Sequence, residues 1–337
     1  MRFYLDNVTE AANLSAAFVL NKEAMGILPY EKINELVLKM EPKNRIDVIS
    51  GTKQDWGRRL SCRQRVASER IGISTNDITP ASIGTIARII QNRRIQAIYG
   101  YSSSIFSLAR YLSAYHGESH MKYVITIAEG LLKPQRDYIS EVFRCPVYRD
   151  YSASECMRMG FECECQNGYH MDIYNYYFAY LDGSGYAKEN TIGGIVVTNL
   201  NNYVFPFVRY RIGDLGEPCR RVCRCGTNLP MVSTLCGRSS DIITTPAGKD
   251  LTMRFFEVFF QYLDKYVRQF QVVQTTPEEL VVRVVPTERM NESVSEHIQE
   301  EILNYAERSM TVKMVRVEEI AMEATGKRRL MVPLRRP

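Results

Sequence analysis

From residue 79 to residue 148, apolar runs of strand length alternate with amphipathic runs of helix length. Residues 79–90 read as a helix opened by Thr79, with Pro80 at its first position. Residues 95–100 read as a strand ending at Gly100; serines 102–104 follow, and then a helix over 105–115. Residues 123–127 read as a strand, residues 134–143 as a helix, and Val147 and Tyr148 as the start of another strand. Such alternation predicts a parallel sheet with crossover helices. Ligands bind these sheets beyond the carboxyl ends of the strands. The loops at 100–104, 128–131 and 151–155 are expected to open on that edge. Upstream, residues 3–5 and 45–50 read as strands, and residues 9–25 as a helix with Thr9 as its cap.

The texture changes twice. From His170 it is β, with strands expected over 174–181 and 194–199 around a turn at 182–185, and a strand-like run over 203–210. After Gly237 a hairpin is expected from residues 270–274 and 279–285. A helix over 293–308 carries Val294, Ile298, Ile302 and Tyr305 on one stripe, and residues 312–317 close with a strand. This last part is a small α+β domain of about a hundred residues. The expected fold class is therefore α/β, with residues 1–236 as a large N-terminal domain that includes a β-rich portion. Residues 237–337 form the small C-terminal domain.

Composition narrows the function classes. A chain of 337 residues can bury a two-domain core. No apolar run approaches a membrane span, and the first residues lack a signal-peptide pattern. Nine cysteines without such a signal point to a reducing cytoplasm. The net charge of +5 suits an anionic ligand and equally suits ordinary solubility. Nucleic-acid binding needs clustered basic residues, and the densest groups are only Arg220, Arg221 and Arg224, and Lys327, Arg328 and Arg329 with Arg335 and Arg336. The 21 tyrosines lie mostly in apolar-periodic segments, where they suit packing. His116 and His120 have no nucleophile partner in sequence, and His297 sits on an amphipathic helix. With no G-x-S-x-G, a hydrolase triad is disfavoured. Neither of the two common glycine-rich nucleotide fingerprints is present.

Cysteine spacing gives the sharpest local signal. Cys163 and Cys165 lie just before His170, and Cys223 and Cys225 form a second arm. Tetrahedral zinc takes four thiolate or imidazole ligands, commonly from two paired arms joined by a long insertion. The expected ligands are Cys163, His170, Cys223 and Cys225, with Cys165 and Cys219 in reserve. Four protein ligands close the shell, so the site would be structural. Reduced, inert cysteines are the competing reading.

Four short motifs follow one another: residues 150–155, 209–214, 237–241 and 326–327. The ring of Tyr151 can lie on a purine, and Glu155, placed at the start of a following helix, can reach a magnesium ion. A packing tyrosine and a helix-terminal glutamate fit the same residues. Asp214, after Gly213, can accept two hydrogen bonds from a ribose diol, or serve as a turn aspartate. Residues 237–241 suit a hinge or a plain linker. Lys327, in a glycine-containing loop, can reach an α-phosphate and an attacking carboxylate, or belong to a solvated basic tail.

In their order and content these motifs resemble the adenylate-forming superfamily, most of all its phenylacetate–CoA ligase branch and the capsule-biosynthesis relatives of that branch. The resemblance runs from Phe3 to Lys327. It implies a large N-terminal domain and a small mobile C-terminal domain, with ATP, magnesium, a carboxylic acid and usually coenzyme A as ligands. Tyr151 would then contact adenine with Ser152 beside it, and Glu155 would hold magnesium. Asp214 would hold the ribose hydroxyls, Arg238 would lie near ribose and phosphate, Asp241 would be the hinge, and Lys327 would drive adenylation. Glu129 and Gly130 resemble an element lining the nucleotide. The two cysteine–histidine arms resemble the branch's zinc site. An acyl pocket is implied near residues 99–104 and 128–131, where Tyr99, Tyr101 and Phe106 suit an aromatic acid or plain core.

The resemblance has departures. Ser152 replaces the usual glycine. Family members carry a phosphate loop just before a segment like that at residues 3–6, and here the sequence begins after it. The expectation is a cytoplasmic acid–thiol ligase forming acyl-AMP, either a piece of a longer protein or a short form with impaired ATP chemistry. The alternatives are a nucleotide- or acyl-binding homologue, or an acyl-transfer protein in surface-polysaccharide assembly. The implied partners are small molecules, with neither nucleic acid nor membrane; a homodimer is allowed.

Overall fold

The structure is a computed structural model that describes residues 45–49, 70–75, 78–92, 94–113, 121–321, 323 and 327–334. The readings made for residues 3–5, 9–25, 50, 114–115, His116, His120, Thr325, Gly326, Arg335 and Arg336 lie outside these residues.

The alternation seen in the sequence builds the start of one large sheet. Strands β1 (Arg45–Ile49), β2 (Arg70–Ser74), β3 (Ala97–Tyr101), β4 (Tyr123–Ile127) and β5 (Val147–Ala153) are mutually parallel, in the order β2-β1-β3-β4-β5. Helices α1 (Ile83–Asn92), α2 (Ser102–Leu112) and α3 (Lys133–Phe143) supply the crossovers. Alternate side chains of a strand face opposite sides. Thus Ile98, Val124 and Val147 pack with Ile86, Ile105, Leu108 and Ile139 of the helices, while Ala97, Tyr123 and Ile125 face the other way. Phe106 packs edge-on against Tyr138 on the helical side, so it is core and does not line a pocket.

The β-rich part continues this sheet. It comprises β6 (Met157–Phe161), β7 (Tyr169–Met171), β8 (Tyr176–Asp182), β9 (Gly185–Tyr186), β10 (Gly193–Asn199), β11 (Tyr210–Cys219) and β12 (Met231–Arg238). These follow β5 in the order β6-β7-β12-β11-β10-β8-β9, giving twelve strands among the described residues. The small domain has β13 (Ile243–Thr244) paired with β14 (Asp250–Leu251). It also has helices α4 (Met253–Gln261) and α5 (Glu292–Tyr305), and a sheet of β15 (Val267–Thr276), β16 (Glu279–Pro286), β17 (Thr311–Arg316) and β18 (Met331–Val332) in the order β17-β16-β15-β18. Asn291 caps α5 by accepting the Val294 N–H at 3.0 Å. Ile298 and Ile302 bury one face of α5 against Val282 and Val284 of β16.

Five local expectations change. Helix α1 begins at Ile83, not at Pro80; Thr79 and Pro80 lie in a turn closed by the Ser82 N–H on the Thr79 carbonyl at 3.1 Å. Serines 102–104 are the first turn of α2 and do not form a loop before it. Residues 203–209 are not a strand; the strand begins at Tyr210, after Arg209 with φ of +50°. Asp214 lies within β11, at an irregularity in its pairing with β12, and not in a turn. No helix follows Glu155: the residue occupies the turn between β5 and β6, which pair antiparallel with Ala153 opposite Met157.

Candidate functional site

The edge of the sheet beyond β3, β4 and β5 gathers the motif residues. Tyr151 is 6% exposed, and its hydroxyl donates to Asp214 Oδ2 at 2.9 Å. Burial, then the Asp214 charge, pushes the phenol upward, which keeps it a donor. Asp214 stands opposite Arg238 across β11 and β12, and Arg238 Nε lies 3.5 Å from Asp214 Oδ1. Gly213, with φ of +86°, supplies the backbone conformation that precedes this carboxylate. Burial raises the Asp214 pKa, opposed by the Tyr151 hydrogen bond and by the charges of Arg238 and Lys327. Glu155 is within reach of the same field and accepts from the Tyr210 hydroxyl at 3.2 Å. Ser152 sits at the irregularity between β5 and β6.

The C-terminal segment reaches this edge. Lys327 Nζ lies 5.5 Å from the ring centroid of Tyr101. The Arg328 N–H donates to Glu129 Oε1 at 2.8 Å, and Arg329 pairs with Asp241 at 2.5 Å. Glu129 is thereby engaged by protein groups. A Cβ on Gly130 would meet the Glu257 carboxylate of α4, so a larger residue here would have to displace that side chain. Glu257 keeps some surface exposure, yet its carboxyl is enclosed and burial pushes its pKa up to about 7.

Cys163, His170, Cys223 and Cys225 converge, with their ligand atoms all within 4.8 Å of one another. Cys163 Sγ lies 3.5 Å from Cys223 Sγ, and Cys225 Sγ lies 3.4 Å from His170 Nε2. A zinc tetrahedron with arms of about 2.3 Å has edges of about 3.8 Å, so the group fits that ion. Cys165 and Cys219 pack alongside but outside the four. Burial lowers the His170 pKa, leaving a neutral imidazole; the Leu229 carbonyl opposes this more weakly, and Nδ1 makes no hydrogen bond of full geometry.

Beside this centre lies a network that spacing did not signal. Glu162, wholly buried, accepts from Arg136 Nη2 at both oxygens, 3.0 and 2.9 Å, and from Arg149 Nε at 2.8 Å. It ties α3 to β5 immediately before Cys163. Tyr210 and Glu257 were also missed, because their partners lie far away in sequence. An open cavity of about 650 Å³ lies beside Ser239 and Ser240, lined also by Thr244, Asp250, Gln271 and Arg329; Ser239 Oγ donates to the Gly213 carbonyl at 3.1 Å.

Comparison places the fold. Residues 243–333 match the family model of the CapK C-terminal domain. The 2-hydroxyisobutyryl-CoA ligase, solved in the postadenylation state with 2-HIB-AMP, superposes at a TM-score of 0.67 with 19% identity, over 97% of this chain and 70% of that one. The chain shares the fold of this ligase. In its open conformation the same ligase matches at 0.54. The amide bond synthetase McbA from Marinactinospora thermotolerans matches at 0.62 and 14% identity, over 85% and 60% of the two chains. The anthranilate CoA ligase AuaEII, bound to anthranoyl-AMP, matches at 0.62 and 13%, over 85% and 57%. No curated protein matches the chain in sequence. Among the described residues, no helix is long and apolar enough to cross a membrane.

Proposed function

We propose that this protein activates a carboxylic acid with ATP to an acyl-AMP and passes the acyl group to coenzyme A, as a phenylacetate–CoA ligase does. The carrying observation is the meeting of Tyr151, Asp214, Arg238 and Lys327 in one field at the sheet edge. Asp214 spends one lone pair on Tyr151 and one on Arg238. A carboxylate offers about four, so two remain for a ribose diol. Arg238 pairs with Asp214 through Nε, and with its side chain 64% exposed its remaining N–H groups can reach a phosphate. The Lys327 ammonium would stabilise the negative charge that builds on the α-phosphate as the acid's carboxylate attacks and pyrophosphate leaves. Glu155, exposed at its turn, would hold the magnesium ion that neutralises the phosphates. Tyr151 cannot offer a free face deep in the core; its part is to orient Asp214, with the rim of its ring and Ser152 beside the base.

The small domain, residues 237–337, would turn about Asp241 between the two half-reactions, releasing Arg329 as it moves. Tyr99 and Tyr101 would line the acid. Zinc on Cys163, His170, Cys223 and Cys225 would hold the β5–β7 region together and take no part in the reaction. The match of residues 243–333 to the CapK domain favours a second acceptor, a hydroxyl or amine in surface-polysaccharide assembly, in place of the thiol.

Pyrophosphate exchange with a panel of aryl and alkyl acids tests the proposal. Acid-dependent exchange supports it, and silence with every acid contradicts it. Appearance of acyl-CoA with release of AMP only on adding coenzyme A selects the thiol acceptor.

A further inference from the structure

The loop at residues 128–132 carries contacts that bring the C-terminal domain to the sheet edge. Glu129 Oε2 accepts the Ser103 N–H at 2.8 Å, and Oε1 accepts the Arg328 N–H at 2.8 Å. The first of these satisfies an orphan donor at the start of α2, where Tyr101 provides no side-chain cap. The second grips the residue that follows Lys327. Ser102 Oγ adds a hydrogen bond to the Glu129 carbonyl at 3.3 Å. Gly130 receives Glu257 of α4, and Leu132 packs into the small domain's core. Tyr101, one residue before α2, carries Lys327 above its ring. The carboxylate thus has one oxygen on the fixed domain and one on the segment bearing the lysine, and both bonds have the short length of charge-assisted contacts.

We infer that Glu129 is a positioning residue for Lys327. It holds the ammonium over the site while the acid is activated, and lets go when the small domain turns. The inference rests on the proposed acid activation, and gives Glu129 a different task from lining the nucleotide. Charge and reach both matter. Glutamine would set an N–H against one of the two N–H donors, so one grip must open. Aspartate keeps the charge but is one methylene too short to span both.

The test uses the full chain as wild type, Glu129→Gln and Arg328→Pro, the last deleting the donor, together with the Arg328 Nε bond to the Ile320 carbonyl, while leaving the carboxylate and α2 intact. Hydrogen exchange in the peptide over 327–332 should quicken by about tenfold or more in both variants, while β16 stays protected. Exchange of pyrophosphate should fall by about tenfold or more in kcat with KM for ATP within about twofold, and thiolysis of preformed acyl-AMP should be spared. Unchanged protection of 327–332 in both variants overturns the inference, as does equal loss in the two half-reactions. A wild-type protein silent with every acid overturns the proposed function instead. Faster exchange at 327–332 would then still establish the grip, and unchanged exchange would dismiss it too.

Discussion

The Tyr151 hydroxyl donates to Asp214 Oδ2 at 2.9 Å, joining two motifs from strands β5 and β11, which are not neighbours in the sheet. Three strands lie between the partners, so a direct bond requires the sheet to curl until β5 and β11 face each other, and it fixes the carboxylate from outside its own strand. Tyr151→Phe removes the one hydrogen bond that holds the Asp214 pKa down. Loss of such a bond to a charged group costs about 1.5–3 kcal/mol. AMP affinity measured by titration should drop by about tenfold or more; equal affinity would leave Tyr151 a packing residue.

Glu162 is the second structural commitment. Its carboxylate is 0% exposed and shared by Arg136 and Arg149. Removing one partner of a buried ion pair typically costs about 3–5 kcal/mol, because a buried charge is left uncompensated. Urea unfolding of Glu162→Ala should show a loss of that order. A loss under about 1 kcal/mol would mean that the two arginines find water instead.

These features separate what was legible in sequence from what was not. Strand 123–127 was read with its true bounds, because a run of apolar β-formers between helices carries its own signal. The four metal candidates were legible because their spacing is local within each arm. Glu155 was misplaced at a helix start: residues 157–161 are held as a strand by pairing with β5 and β7, a tertiary effect. Glu162 and Glu257 carry no signal in the sequence, since their burial depends on Arg136, Arg149 and Gly130, which fall at no diagnostic spacing. The grip of Glu129 on a backbone N–H leaves no side-chain trace in sequence at all.

The cysteine–histidine group should carry metal. Purified protein is expected to hold about one equivalent of zinc, and chelation should lower the melting temperature by destabilising the region around β7 and β12. Cys225→Ser should do the same without a chelator. Less than about half an equivalent of zinc, with stability unchanged in chelator, would argue for inert thiols.

Glu257 predicts a pH dependence. Its pKa rises from 4.5 to about 7 on folding, chiefly by burial, with Arg149 and Arg254 opposing and Tyr169 and Cys236 also facing the group. The folded protein then binds more protons than the unfolded chain between those values, so this contribution to stability falls as pH rises through that window and is flat above it. A shift of this size corresponds to about 3 kcal/mol. Melting temperatures from pH 4.5 to 7.5 should show Glu257→Gln with a flatter profile than wild type. Parallel profiles would mean that the carboxyl is hydrated.

The most direct measurement is the rate of each half-reaction in Lys327→Ala. Acid-dependent pyrophosphate exchange should fall by about a hundredfold or more, as for a lost transition-state charge contact. Conversion of preformed acyl-AMP to thioester should stay within about twofold of wild type. Equal loss in both half-reactions, or none in the first, would contradict the role given to this lysine and, with it, the reading of the sheet edge as an adenylation site.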